Sequence, residues 1–116
     1  MDLAEYVEDG FLSPKKIAAA FRTTQEEIAS SAGLARDAVL RKERARSNRT
    51  QRRLREMLGI VDRVESRLGS PLIAYAWYRS EPLPGLSGRT AMQLVKEGRA
   101  DEVLELIDAV DAGVQA

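Results

Sequence analysis

The 116-residue chain contains neither cysteine nor histidine, and these two gaps narrow its chemistry at once. Without cysteine there is no disulfide framework and no thiolate metal site. Without either residue, the commonest general base and the thiol nucleophile are both missing. The carboxylates Glu102, Glu105 and Asp108 fall on the wet face of the last expected helix. No catalytic residue, metal ligand or cofactor is therefore expected, and the chain reads as a non-enzyme. Long apolar runs are lacking as well, far short of the ~20 residues that span a bilayer. The opening MDLAEYVEDG is acidic and has neither the basic nor the apolar region of a signal peptide. A cytoplasmic protein without membrane contact is the expectation. Its length suits one compact domain, or two small subdomains sharing a core.

The formal net charge is zero, but the charges are segregated. Residues 1–35 carry three basic and six acidic side chains, and residues 56–116 carry six and ten. Residues 36–55 carry nine basic and two acidic, a local excess of seven positive charges. Such a block is either the solvated face of a helix or a nucleic-acid footprint, in which Lys and Arg displace counterions from phosphates.

Helix signals recur along the chain, whereas strand alternation nowhere persists. Ser13-Pro14 provides an N-cap and a first-turn proline, opening a helix with Ile17, Ala20 and Phe21 inward. Thr24 and Glu27 form a capping-box pattern ahead of a second helix through Ala32, and Gly33 ends it. A third helix is expected from Ala35 to about Arg44. The fourth and longest spans Asn48 to Leu68, with Leu54, Met57, Val61, Val64 and Leu68 spaced 3, 4, 3 and 4. That stripe covers two heptads, which favours an amphipathic core helix over a coiled coil. Gly59 within it marks a kink or a close helix crossing. Ser70-Pro71 opens a fifth helix, PLIAYAWYRS. After a loop rich in Pro and Gly, Thr90 and Gln93 form a second capping-box pattern, and Gly98 stops that helix. The seventh runs from about Ala100 to Ala112, with Val103, Leu104, Ile107 and Val110 on one face and Gly113 as its stop. The fold class is all-α: an N-terminal helix-turn-helix bundle joined by a long helix to a small C-terminal helical region.

The second and third helices satisfy a helix-turn-helix register. With Gln25 as position one, Ile28, Ala32, Leu34 and Val39 fill the apolar positions four, eight, ten and fifteen. Ala29 supplies the small residue where the helices cross, and Gly33 supplies the turn. Lys42 departs from the usual apolar position eighteen, with Leu40 expected to compensate. The segment QEEIASSAGLARDAVLRKE resembles the Xre-type helix-turn-helix of phage repressors. The resemblance implies a recognition helix presenting Ala35, Arg36, Asp37, Leu40 and Arg41 to a DNA groove. Arg36 and Arg41 are the candidates for guanine edges, since guanidinium matches O6 and N7 in pairs. Arg44, Arg46, Arg49 and Arg52 are the candidates for phosphates.

A second resemblance lies in AWYRSEPLPGLSGRTAMQLVKEGRADEVLELIDAVDAG. Trp77, Pro82, Pro84, Leu86, Gly88, Arg89, Thr90, Leu94, Gly98, Val103, Leu104 and Gly113 follow one another there as in the toxin-binding domain of Xre, MbcA and ParS antitoxins. Ala91 replaces the proline, and Tyr78 the leucine, common in that family. The resemblance implies an antitoxin encoded beside a RES-domain toxin that consumes NAD or transfers ADP-ribose. It further implies inhibition by covering the toxin's cleft, with Arg89, Gly113, Val114, Gln115 and Ala116 as toxin-binding residues, and repression of its own operon. Trp77, Leu86, Leu94, Val103 and Leu104 read as core.

On this reading, residues 1–12 are an N-terminal arm, 13–56 the DNA-binding region and 57–116 the toxin-binding region. The expected partners are a cognate RES-type toxin and operator DNA. A homodimer is expected too, because a lone helix-turn-helix grips one half-site. The Leu54–Leu68 stripe and the C-terminal helices are the apolar surfaces available for it. The competing reading is a plain transcriptional regulator whose C-terminal half only dimerises.

Overall fold

One long helix organises the chain, and its buried residues say why. In α5 (Asn48–Leu68), Leu54, Met57, Leu58, Ile60, Val61 and Val64 are all buried, together with the polar Thr50 and Gln51. This arc is far wider than the two-position seam of a coiled coil. The stripe from Leu54 to Val64 is therefore consumed by the core and does not form a dimer surface; only Leu68, at its end, is exposed. Nor does Gly59 mark a helix crossing, since only the side chain of Arg63 comes within 4 Å of where its Cβ would stand.

The computed structural model describes residues 1–115, and the side chains of residues 1–113. A 3₁₀ turn over Leu3–Tyr6 leads into a two-stranded antiparallel ribbon, β1 (Val7–Glu8) and β2 (Phe11–Leu12). Then come α1 (Pro14–Ala20), α2 (Gln25–Ser31), α3 (Asp37–Leu40), α4 (Lys42–Ala45) and α5. The C-terminal part adds α6 (Pro71–Ser80), α7 (Ala91–Lys96) and α8 (Ala100–Gln115). The fold is thus essentially all-α, with eight α-helices among the described residues where seven were expected, because the third is broken in two. The caps at Ser13, Thr24, Ser70 and Thr90 accept backbone N–H bonds, as their sequence positions predict, and Ser47 caps α5 in the same way.

The first twelve residues are integrated rather than loose. Tyr6 and Leu12 are buried, and Asp9-Gly10 forms the tight turn between the strands, with φ of 52° and 83°. In α1 the inward residues are Ile17 and Ala18, and Ala20 is exposed, contrary to expectation. Ile17, Ala18 and Phe21 are spaced one and three residues apart and share the inward face of this two-turn helix, with Phe21 at its end.

A single hydrophobic core runs from Tyr6 to Ile107, so the boundary placed at residue 56 falls inside α5 and inside that core. Helices α6, α7 and α8 pack on α5 from one side, and β2 and α4 from the other end. Gln51 ties the second group down. Its Oε1 accepts from the Leu12 N–H at 2.9 Å, while its Nε2 donates to the carbonyls of Leu12 at 3.0 Å and Ala45 at 2.8 Å. Each of these backbone groups is otherwise withdrawn from water, so the amide satisfies what burial would leave unpaired.

The two halves meet at Gly33. Its φ of +71° is left-handed, and a Cβ there would stand 2.9 Å from the backbone Cα of Lys96 in α7. Two constraints coincide, one conformational and one steric. Gly69, with φ of +80° and open space around it, carries only the first. Gly69→Ala is expected to cost about 1 kcal/mol from strain alone, and Gly33→Ala about 2–4 kcal/mol because α7 must also shift. Urea-unfolding midpoints of the two variants check this; equal losses would show that the close approach carries no energy.

Candidate functional site

The apolar positions of the expected register are filled by buried side chains. Ile28, Ala29, Ala32, Leu34 and Val39 are all buried, and the Thr24 hydroxyl accepts from the Glu27 N–H at 3.1 Å. The third helix departs from the register. The expected helix from Ala35 to Arg44 is interrupted at Arg41, whose backbone is extended (φ −100°, ψ 125°), leaving four-residue helices α3 and α4. A continuous helix would place Lys42, Glu43 and Arg46 on the inward face with Val39, because positions three, four and seven residues on share that face. The break rephases the chain so that Ala45 turns inward instead. Leu40 does not compensate for Lys42; it is exposed beside a hollow of about 240 Å³ between the ribbon and α3–α4.

The groove-facing candidates Ala35, Arg36, Asp37, Leu40 and Arg41 all lie on the surface. The arginines divide by partner. Arg44 lies 3.9 Å from Asp37, both well exposed, a contact of little energetic weight. Arg46 is held more firmly, pairing with Asp9 at 3.0 Å and lying 4.9 Å over the Phe11 ring. It fastens the ribbon to α4. Arg36, Arg41, Arg49 and Arg52 have no ion-pair partner among the described residues. Arg49 and Arg52 line a cleft of about 410 Å³ with Asn48, Arg53, Glu56 and Gly98. Three of its six lining residues are arginines, and one of these, Arg53, pairs with Glu56.

In the C-terminal part, the loop between α6 and α7 is stapled shut. Pro82 bridges Thr90, the Leu83 N–H donates to the Arg89 carbonyl at 2.9 Å, and the Leu83 side chain is buried. The Thr90 and Gln93 capping box is complete in both directions, at 3.2 and 2.9 Å, with Ala91 buried where the family commonly has proline. Arg89 pairs with Glu97 at 2.7 Å, Glu97 with Arg99 at 3.3 Å, and Arg99 clasps Glu102 in two-pronged fashion. That hydrogen bonding holds the Glu102 carboxyl below its usual range. Leu94 and Val103 are core, as expected, while Trp77, Leu86 and Leu104 are only half-buried.

Helix α8 departs from the sequence reading in two ways. It continues through Gly113 to Gln115, so Gly113 is no helix stop. One glycine lowers helix propensity by only about 1 kcal/mol relative to alanine, and here its φ is not left-handed. Val110 is exposed and not inward. The ion pair between Arg67 and Asp111 sets this turn level with the end of α5, where the packing partner runs out. The side chains of Val114 and Gln115, and all of Ala116, lie outside the described residues.

Two tyrosines join the halves, and sequence reasoning missed both. The Tyr78 hydroxyl donates to the Ser31 carbonyl at 2.6 Å, and the Tyr75 hydroxyl shares a 2.6 Å hydrogen bond with the Ser31 Oγ. Phe21 stacks on Tyr75 at 4.8 Å. No local pattern announces a partner more than forty residues away. The ribbon, by contrast, carried the signal of an Asp-Gly turn between apolar residues.

Residues 63–113, from the last turns of α5 to Gly113, match the model of the antitoxin Xre/MbcA/ParS C-terminal toxin-binding domain. This segment is similar to that family's domain. No curated protein and no solved structure matches the chain. The matched segment is thus the layer α6–α8 against the end of α5, and Tyr75 and Tyr78 fasten it to α2 through Ser31. Among the described residues, no helix is long and apolar enough to cross a membrane.

Burial pushes both phenols above their ordinary value near 10, for Tyr75 against the opposing pull of the Ser31 hydrogen bond and Arg79. A raised folded-state value means that the unfolded chain releases these protons first. Stability is therefore full below pH ~10 and falls as pH rises above it, by up to about 1.4 kcal/mol per unit for each phenol. Urea titrations from pH 8 to 11.5 should show this fall, and the Tyr75→Phe/Tyr78→Phe double variant should flatten it while starting from lower stability. An unchanged slope would place the titration elsewhere.

Proposed function

We propose that the chain is the antitoxin of a RES-domain toxin, neutralising it by covering its active-site cleft and repressing the shared operon through the helix-turn-helix. The match of residues 63–113 to a toxin-binding domain carries this reading. Its fold supports it: the matched segment makes a helical layer whose last helix runs on past Gly113 to Gln115. In this mechanism the chain catalyses nothing. Binding covers the cleft, and residues from Gly113 through Val114, Gln115 and Ala116 enter it. Arg89 acts from its ion pair with Glu97, orienting the loop and offering its remaining donors to a toxin carboxylate.

For the DNA-binding half, the basic block supports phosphate contact by Arg49 and Arg52 beside α3 and α4. Arg36, Asp37, Arg41 and Arg44 stand at the groove, while Arg46 acts through the ribbon it fastens. A homodimer reads two half-sites.

Two measurements test the two activities separately. Truncation after Ala112 should leave the fold intact, since helix content and unfolding midpoint owe little to four terminal residues. Neutralisation should fall sharply, read as growth and NAD level on co-expression with the protein encoded by the adjacent reading frame. Full protection by the truncated chain would move inhibition to the helical surface.

Binding to the operon's promoter should weaken steeply with salt, log K falling linearly with log[salt]. Arg49→Ala and Arg52→Ala should each lower affinity on all sequences and reduce the salt slope by about one. Arg36→Ala or Arg41→Ala should relax sequence preference by about 1–3 kcal/mol. A salt-insensitive or undetectable complex would remove DNA from the mechanism.

A further inference from the structure

Three of the five large apolar residues that stand well exposed lie within the antitoxin domain, Leu68 at 40%, Ile73 at 54% and Val110 at 41%. They are not scattered. A hollow of about 130 Å³ opens between the end of α5, α6 and α8, lined by Val64, Arg67, Leu68, Trp77 and Ile107. Ile73 precedes Trp77 by four positions on α6, and Val110 follows Ile107 by three on α8, so each extends the hollow along its own helix face. Helix spacing thus lines up Leu68, Ile73 and Val110 as an apolar strip about the hollow, which the half-buried Trp77 lines. Ion pairs of Arg63 with Asp108 and Arg67 with Asp111 run beside it. An aromatic anchor within aliphatic neighbours and a polar rim is the composition of a binding hot spot.

We infer that the strip formed by Leu68, Ile73, Trp77 and Val110 is the face on which the toxin's body seats, apart from the residues that enter its cleft. The inference rests on the antitoxin reading above. Two observations select the toxin as occupant over a second copy of this chain. The strip lies wholly inside the matched toxin-binding segment. It also ends on α8 only three residues before Gly113, about 4.5 Å along the helix axis. A toxin that takes the chain end into its cleft must therefore rest against Val110. The other apolar hollow, about 430 Å³ among Leu3, Val7, Leu12, Leu58 and Gly59, is outside that segment and carries neither argument.

The test uses the full chain and the protein encoded by the adjacent reading frame, with affinity measured by calorimetry. Ile73→Asp and Val110→Asp alter exposed side chains, so helix content and urea midpoint should stay near those of the parent. Each should weaken the complex about 100-fold or more, the scale of a hot-spot loss. Trp77 is the sole tryptophan, so a 5-fluorotryptophan-labelled chain gives one fluorine resonance that should shift on complex formation. If the parent chain binds and both variants bind equally well with no resonance shift, the strip is not the seat, while the antitoxin reading stands. If the variants instead turn a dimer into a monomer in sedimentation and keep their affinity for the toxin, the strip joins two copies and the inference fails. If the parent chain does not bind at all, the antitoxin reading falls and takes the strip with it.

Discussion

A helix buried around most of its circumference must be covered from several directions at once, and α5 is such a helix. Leu54, Met57, Leu58, Ile60, Val61 and Val64 cannot all face one neighbour. Helices α6–α8 cover one side, and the ribbon and α4 close over its beginning, pinned by Gln51. Neither the N-terminal elements nor the layer α6–α8 buries this surface alone. Each buried aliphatic side chain contributes on the order of 1.5–3 kcal/mol, so the two parts stabilise each other through a shared spine.

The contacts between the parts are polar and steric as well as apolar. Ser31 gives its carbonyl to Tyr78 and its hydroxyl to Tyr75, and Gly33 admits the backbone of α7. These residues belong to α2 and the turn that follows it. The layer α6–α8 is therefore docked on α2 and that turn, and its position there is set by short, buried bonds. Such bonds leave little slack, since an unpaired buried hydroxyl or carbonyl is costly.

Charge is distributed unevenly over the two parts. Of the arginines near the layer α6–α8, Arg79 lies over the Tyr75 ring, and Arg63, Arg67, Arg89 and Arg99 each hold a carboxylate. Arg36, Arg41, Arg49 and Arg52 have none among the described residues, and their charges are left to act on the surroundings. A neutral chain thus keeps a locally cationic surface, screened beyond about 8–10 Å at physiological salt. Arg46 shows that membership of a basic block does not define a role, since it serves the ribbon through Asp9 and Phe11.

Caps, helix periods and the order of elements depend on residues three or four positions apart, so the amino-acid order alone sets them. Ser13, Ser70 and Thr90 cap where their positions predict, α5 spans Asn48–Leu68 as expected, and the family pattern from Trp77 to Gly113 lies within the matched segment. The Asp9-Gly10 turn is equally local, and its signal lay in the sequence too. Other features involve partners far apart in the chain, and packing alone settles them. The break at Arg41 follows from which face the core admits, Arg46 from a ribbon thirty-seven residues away, and the Ser31 bonds from helices that meet only once α5 is covered. The exposure of Val110 and the run of α8 past Gly113 depend on where α5 ends in space. Periodicity states which residues share a face; how far that face is covered is settled by the neighbours that fold against it.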